Sequence, residues 1–272
     1  MQKSVLEIRK KISEMKKQYG NVITNFYPGI LSDVEKADLC EEEKALIFIV
    51  QEPHRRRLFF AATDIDLLET LLKDVPQGVV LEYIYREEEN PLKESFLRGK
   101  FEEYAIYVRI TTKYSGSPYT IPESGRRKLL EEMYNSNCGE YAKLSDVEAL
   151  YKITMETFDV VCDDVFSLEK WKEIINNQEC ILYKESGEII AYYVWNLQGK
   201  KLYSNMTVNR GTADILYSME RRVFEQMWEN GIRIYYAWFD VKNKKALLRG
   251  NKRIKEVIES QEMIYNGVYV KK

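Results

Sequence analysis

Lys201-Leu202-Tyr203-Ser204-Asn205-Met206-Thr207-Val208-Asn209-Arg210-Gly211-Thr212-Ala213 is the stretch that decides the fold. Residues 201–208 read as a strand, and Asn209-Arg210-Gly211-Thr212-Ala213 as a tight turn that opens a helix. Along that helix Ile215, Leu216, Met219, Val223 and Met227 recur at helical spacing, and Asn230-Gly231 ends it. Residues 232–239 are apolar and aromatic on both alternating faces, the pattern of a central strand buried on both sides of a sheet. Asn243, Ala246 and a short basic helix follow, then a last strand over 263–270. A turn that opens a helix leaves backbone N–H groups without partners, and these can receive phosphate oxygens.

Upstream, residues 141–150 read as a strand followed by a helix, with Ser145 as N-cap and Glu148 completing a capping box. A second helix covers 168–175, and strands over 180–185 and 189–197 are joined by Ser186-Gly187, a hairpin signal. Gln198-Gly199-Lys200 then leads into the strand at Lys201. The order is strand, two helices, three antiparallel strands, helix, strand, helix, strand. It resembles the GCN5-related N-acetyltransferase (GNAT) superfamily.

A weaker copy of this order occupies the first half. Residues 45–50 and 58–62 form a hairpin, 65–75 a helix, 79–85 a strand, and 104–111 a strand. Between the last two, Asn90-Pro91-Leu92 opens a helix that ends near Gly99. Leu97-Arg98-Gly99-Lys100 stands where Leu248-Arg249-Gly250-Asn251 stands later, although the order of elements carries more weight than four residues. The expected fold class is α/β, an α+β mixed sheet, with two GNAT-like acyl-CoA N-acyltransferase domains in tandem. Residues 1–117 form a degenerate copy, 118–138 a linker and connecting helix, and 139–272 the donor-binding and catalytic copy. The hinge lies at 118–124, where Ser115-Gly116-Ser117-Pro118 and Pro122 interrupt periodicity, and 126–134 form the connecting helix. Asp64 as an N-cap occupies the N–H groups a phosphate needs, so the first copy is expected to bind no nucleotide cofactor and to shape the acceptor pocket instead.

Composition excludes several classes of function. The chain has 272 residues, with 41 Lys and Arg against 43 Asp and Glu, so no global field favours nucleic acid or an anionic membrane. No apolar stretch is long enough to span a bilayer. The first residues form an amphipathic helix with Val5, Ile8, Ile12 and Met15 on one face, not the apolar core of a signal peptide, and a cytoplasmic location is expected. The four cysteines, Cys40, Cys138, Cys162 and Cys180, make no metal-binding pair. The single histidine, His54, sits in Glu52-Pro53-His54-Arg55-Arg56-Arg57, which reads as a solvated turn or, alternatively, a small phosphate-binding patch. A zinc site or a histidine-based hydrolase is disfavoured by that count.

The resemblance implies direct transfer of an acyl group from acetyl-CoA or another acyl-CoA to the amine of a small molecule or amino acid. The pantetheine arm would lie in a splay between the strands at 201–208 and 232–239. A backbone N–H near Met206 or Val208 would receive the thioester carbonyl. The pyrophosphate would meet Arg210, Gly211, Thr212 and Ala213, and Asn243 would sit beside the sulfur arm. Tyr203 and Asn205 would order a water or the acceptor amine, with Asp240 as a candidate base. Glu156, Asp159 and Asp163, with Asp164, form an acidic cluster that would face the acceptor ammonium or, more blandly, an exposed acidic loop; Cys162 among them reads as an ordinary thiol. The chain departs from the family in two places: Ala213 and Ile215 stand where glycines are usual, and 244–253 contain no tyrosine to serve as general acid. Two alternatives remain open, a non-catalytic ligand- or protein-binding module and an enzyme that takes its acyl group from an acyl carrier protein thioester. For the carrier, Lys242, Lys244, Lys245, Arg249, Lys252 and Arg253 offer a basic stretch that otherwise is a solvated helix face. The chain is expected to be a monomer or a homodimer.

Overall fold

A computed structural model describes residues 2–27, 31–32, 35–87, 89–117, 139–251 and 258–272. The expected hinge at 118–124, the helix at 126–134, Cys138, and Lys252 and Arg253 lie outside the described residues, as do the side chains of 248–251. The chain divides into two compact units: Met1–Tyr107 with Val160–Asp163 and Ile264–Lys272, and Val108–Asp159 with Asp164–Met263.

The first unit contains β1 (Gln2–Ser4), α1 (Val5–Tyr19), β2 (Ile23–Thr24), β3 (Lys36–Glu42), β4 (Ala45–Gln51), β5 (Arg56–Ala62), α2 (Ile65–Lys73), β6 (Val80–Tyr85) and α3 (Lys93–Arg98). It also holds the first half of β7 (Phe101–Tyr114) and the residues of β13 (Ile258–Lys271) from Ile264 onward. Its strand order is β1-β3-β4-β5-β6-β13-β7, with β2 on β5. Ser4 caps α1 in a reciprocal box with Glu7, and the helix buries Val5, Ile8, Ile12 and Met15. These pack with Phe26, Leu46, Phe48 and Phe59, while α2 and α3 cover the opposite face through Leu68, Leu72 and Phe96 against Ile47, Leu58, Phe60 and Tyr269. Both faces of β4 and β5 are therefore buried, as their continuous apolar runs require. Asp64 does cap α2, taking the N–H groups of Asp66 and Leu67.

The turn at 52–57 is not simply solvated. Arg55 is buried, with Nε 2.8 Å from Glu52 and Nη2 3.0 Å from Glu82, and it donates to the Val161 carbonyl at 2.9 Å. Arg57 donates to Glu82 at 2.8 Å. The charges that looked like a surface cluster are each other's partners across β5 and β6, a pairing that sequence spacing does not disclose. Lys271 is also buried and donates through Nζ to the carbonyls of Leu72, Lys73 and Gly99, the last turns of α2 and α3.

The second unit contains the rest of β7, β8 (Glu140–Tyr141), α4 (Val147–Thr157), α5 (Leu168–Asn176), β9 (Cys180–Glu185), β10 (Glu188–Gln198), β11 (Lys201–Asn209), α6 (Ala213–Glu229), β12 (Ile234–Asp240), α7 (Lys244–Asn251) and the start of β13. The order β7-β12-β11-β10-β9-β8 places β11 and β12 in the middle. Ser186 and Gly187 both have positive φ, 52° and 87°, and close the β9–β10 hairpin in the way its right-handed twist favours. One face of the sheet packs on α4 and α5 through Trp171, Tyr192, Val194, Met206 and Val208; the other packs on α6 through Leu202, Leu216, Met219, Val223, Phe224 and Tyr235.

Two local expectations need correction. Ser145 does not cap α4: a 3₁₀ turn, Leu144–Asp146, precedes the helix, and the Asp146 carboxylate accepts the Lys143 N–H at 2.9 Å and pairs with Lys184 at 2.8 Å. Nor is β12 fully buried along its length, since only Tyr235 and Tyr236 are buried and the stretch from Ala237 to Asp240 is partly buried. Among the described residues no helix is long and apolar enough to cross a membrane.

Candidate active site

The parallel ladder between β11 and β12 begins at Lys201 opposite Ile234 and ends at Ser204 opposite Ala237, although β11 continues to Asn209 and β12 to Asp240. Beyond the last pair the two strands make no ladder with each other, so their facing backbone groups are open to another partner.

A bulge sits at the same point. On β10, Val194 pairs with Met206 and the next residue, Trp195, pairs with Ser204, which leaves Asn205 as the extra residue. Strict alternation would put Leu202, Met206 and Val208 on one face of the sheet. Instead Leu202 packs towards α6, while Met206 and Val208 pack towards α4 and α5. The bulge reverses the facing of the strand just where its ladder with β12 stops. On the α4 side a buried polar cluster holds this stretch: the Tyr192 and Thr154 hydroxyls are 2.8 Å apart, and Tyr192 donates to the Met206 sulfur at 3.3 Å. Burial pushes the Tyr192 hydroxyl well above the ordinary tyrosine range.

The loop ahead of α6 is built largely from its own side chains. The Arg210 N–H donates to the carbonyl of Ile190, a residue left over by a register shift in the β9–β10 pair. The Gly211 N–H donates to Asn209 Oδ1 at 3.0 Å, and Asn209 Nδ2 donates to the Thr212 carbonyl at 2.9 Å. Thr212, the N-cap, makes no side-chain capping bond, and among the described residues no hydrogen bond is made by the N–H of Thr212 or Ala213. Gly211 is closely packed: a Cβ there would meet Ile215 Cδ1 at 2.7 Å and Ile190 Cγ2 at 3.0 Å, so the ends of these side chains would have to shift. Ile215 is thus seated against Gly211. The Arg210 side chain reaches Glu156 at 3.2 Å.

The other anticipated residues divide as follows. Tyr203 stacks on Tyr236, centroids 4.8 Å apart and planes within 5°, and Tyr236 donates to Gln198. Asp240 closes a turn, its Oδ1 accepting the Lys242 N–H at 2.8 Å and its carbonyl the Asn243 N–H at 2.9 Å. Asn243 Oδ1 accepts the Ala246 N–H at 3.1 Å and so caps α7. The acidic residues have different surroundings: Glu156 pairs with Arg210, Asp159 is exposed, and Asp163, in the first unit, accepts the Tyr107 hydroxyl at 2.7 Å. Burial raises that hydroxyl above its ordinary value, with hydrogen bonds to Cys162 and Asp163 adding to the shift.

Sequence reasoning missed Arg109, Trp238, Ser204 and Gln198. Ser204, Ala237, Tyr235, Tyr236 and Phe239 line a shallow recess with Phe224, Ile110 and Thr112. Arg109 lies over two β12 rings, 5.4 Å from the Tyr236 centroid and 5.6 Å from that of Trp238. No local signal marks Arg109, because it reaches this place through strand pairing across the length of the chain.

No protein-family model matches the sequence, and neither does any curated protein. Solved structures do resemble the fold. The GCN5-related N-acetyltransferase of Sphaerobacter thermophilus is 13% identical and superposes with a TM-score of 0.56 over 88% of this chain and 82% of its own. A GNAT-family protein of Novosphingobium aromaticivorans is 11% identical, with a TM-score of 0.51 over 83% of this chain and 88% of its own. The fold is that of the GNAT acyltransferases, as the order of elements implied.

Proposed function

We propose that the chain is an N-acyltransferase that moves an acyl group from acyl-CoA, acetyl-CoA being the simplest donor, to the amine of a small molecule or amino acid. The observation that carries this reading is the coincidence of three features in β11 and its turn: the ladder with β12 that ends at Ser204, the bulge at Asn205, and a glycine-bearing turn into α6. An open strand edge suits the amide groups of a pantetheine arm, and the N–H groups of Thr212 and Ala213 suit a phosphate. Amine nitrogen attacks the thioester carbonyl, the C–N bond forms as the C–S bond breaks, the thiolate leaves, and the amine gives up a proton. In this scheme a backbone N–H near Met206 or Val208 steadies the charge that develops on the carbonyl oxygen. Tyr203 and Asn205 order the acceptor, Asp240 is the candidate base, Asn243 stands beside the sulfur arm, and Arg210 to Ala213 take the pyrophosphate. Glu156 and Asp159 remain candidates for the acceptor's ammonium, whereas Asp163 belongs to the first unit and accepts the Tyr107 hydroxyl. The same proposal assigns the chemistry to residues 139–272, with 1–117 as a degenerate copy and 118–138 as the connection, in a cytoplasmic monomer or homodimer.

A second reading has a specific observation behind it. The N–H of Arg210 is taken by the Ile190 carbonyl on β10 and that of Gly211 by Asn209 Oδ1, which weakens a pyrophosphate site. An acyl carrier protein presents pantetheine without the adenosine pyrophosphate, so such a donor would lose little. A non-catalytic module is the third reading. Calorimetric titration with acetyl-CoA, desulfo-acetyl-CoA and acetyl-pantetheine separates them, followed by a thiol-release assay over an amine panel. Micromolar binding of both CoA forms with amine-dependent thiol release supports the first reading. Pantetheine binding as tight as CoA binding favours the carrier protein, and no binding or release leaves the module.

A further inference from the structure

Arg109 carries a positive charge for which no carboxylate partner is present among the described residues. It lies against aromatic rings: the guanidinium is 5.4 Å from the Tyr236 centroid and 5.6 Å from the Trp238 centroid, and its Nε is buried without a hydrogen-bond partner among the described residues. Trp238 is the first β12 residue beyond the last ladder pair, Ser204 with Ala237, so the guanidinium stands beside the splay. Tyr203, paired in register with Tyr236, continues the aromatic surface onto β11. Contact with ring faces orients a guanidinium while leaving N–H donors in its plane, and a planar fork of donors matches a carboxylate. Removing a donor from water without supplying an acceptor is unfavourable, and such groups call for an explanation.

We infer that Arg109 binds a carboxylate of the acyl acceptor, so that the acceptor is an amine bearing an acid group, as a free amino acid does. This rests on the reading of the β11–β12 splay as the transfer point. The aromatic stack holds the guanidinium, the guanidinium holds the acid, and the amine of the same molecule is left near Asn205 and Tyr203. A dicarboxylic acyl donor, with its acid at the far end of the acyl chain, would present the same chemistry from the other side of the reaction.

The test is equilibrium binding by calorimetry, independent of turnover. The twenty amino acids and their carboxamides are screened against the full chain, and succinyl-CoA is compared with acetyl-CoA. The expected result is an amino acid bound about tenfold or more tighter than its amide, a preference lost in Arg109→Gln and partly kept in Arg109→Lys. Equal binding of acid and amide by the wild type overturns the inference without recourse to a variant. So does failure of every amino acid to bind, or an acid preference that survives in a folded Arg109→Gln. A succinyl-CoA preference that depends on Arg109, with no acid preference among the amines, overturns the acceptor assignment in favour of the donor. Acid-selective binding without any acyl transfer would sustain the role of Arg109 and remove the transferase reading, so the two failures are distinct.

Discussion

Arg210 Nη2 lies 3.2 Å from Glu156 Oε2, so the turn ahead of α6 is tied to the last turn of α4 by an ion pair between a candidate phosphate ligand and a candidate acceptor ligand. The two assignments compete, because an arginine that meets pyrophosphate must first give up this carboxylate. Both side chains are about half exposed, at 46% and 48%, so the pair is weak and screened by salt. Glu156→Gln should tighten acetyl-CoA binding by about two- to fivefold at low salt, an effect that fades at high salt. Arg210→Glu should weaken it by about tenfold or more while leaving acetyl-pantetheine unchanged. Calorimetry on both variants checks this, and an Arg210→Glu variant that binds acetyl-CoA normally removes Arg210 from the phosphate site.

The bulge makes a sharper prediction about folding. Deleting Asn205 would restore regular pairing with β10 and turn Met206 and Val208 away from the α4–α5 core. Loss of two buried apolar side chains from that core should cost about 4 kcal/mol or more, enough to abolish cooperative unfolding of a marginal domain. Asn205→Ala keeps the backbone count and should leave the melting temperature within a few degrees, with any loss confined to transfer. Equal stability of the two variants by thermal denaturation would contradict the bulge.

Gly211 and Ile215 should be energetically coupled, since a side chain at 211 would run into Ile215 Cδ1 and Ile190 Cγ2. Gly211→Val should destabilise by about 1–3 kcal/mol. In an Ile215→Ala background the same change should cost measurably less, and a double-mutant cycle in urea reads the difference. Simple additivity would place the steric limit elsewhere.

Asp146 offers a pH signature. Burial acts to raise its pKa, but hydrogen bonds from Lys184 and the Lys143 N–H outweigh it, and the net shift is downward from 3.8. A depressed carboxylate contributes stability that is complete above the unfolded-state pKa and is lost as pH falls through the lower native value. Wild type should therefore lose stability in acid more steeply than Asp146→Asn, whereas near neutrality the variant should be weaker by about 1–3 kcal/mol. Denaturant melts between neutral pH and pH 3 test both parts, and parallel curves would mean that Asp146 carries no such linkage.

The sequence discloses elements that local signals punctuate. Helix α6 runs from Ala213 to Glu229 with Asn230 at its cap, as periodicity and Asn230-Gly231 require, and the β9–β10 turn falls at Ser186-Gly187. It does not disclose features created by long-range pairing. Nothing in Leu202, Met206 and Val208, all of one parity, hints that Asn205 reverses the strand. β3 goes unread because its buried Ala37 and Leu39 stand among charged neighbours. Arg55 looks like surface until β6 brings Glu82 beside it. Arg109 is similarly silent, since its rings come from β12, far along the chain.

The position of β13 between β6 and β7 has a consequence for biosynthesis. Val80 waits for Val270, and Tyr85 for Tyr265, so the first unit is closed by a strand translated after β8 to β12. While the ribosome is still at work, the edges of β6 and β7 have no intervening strand and stand open to mispairing. The second unit's strands β8 to β12 emerge before that gap can be filled. Order of assembly on the ribosome should therefore run against order of synthesis, with the earlier-made unit the last to become protease-resistant in stalled nascent chains.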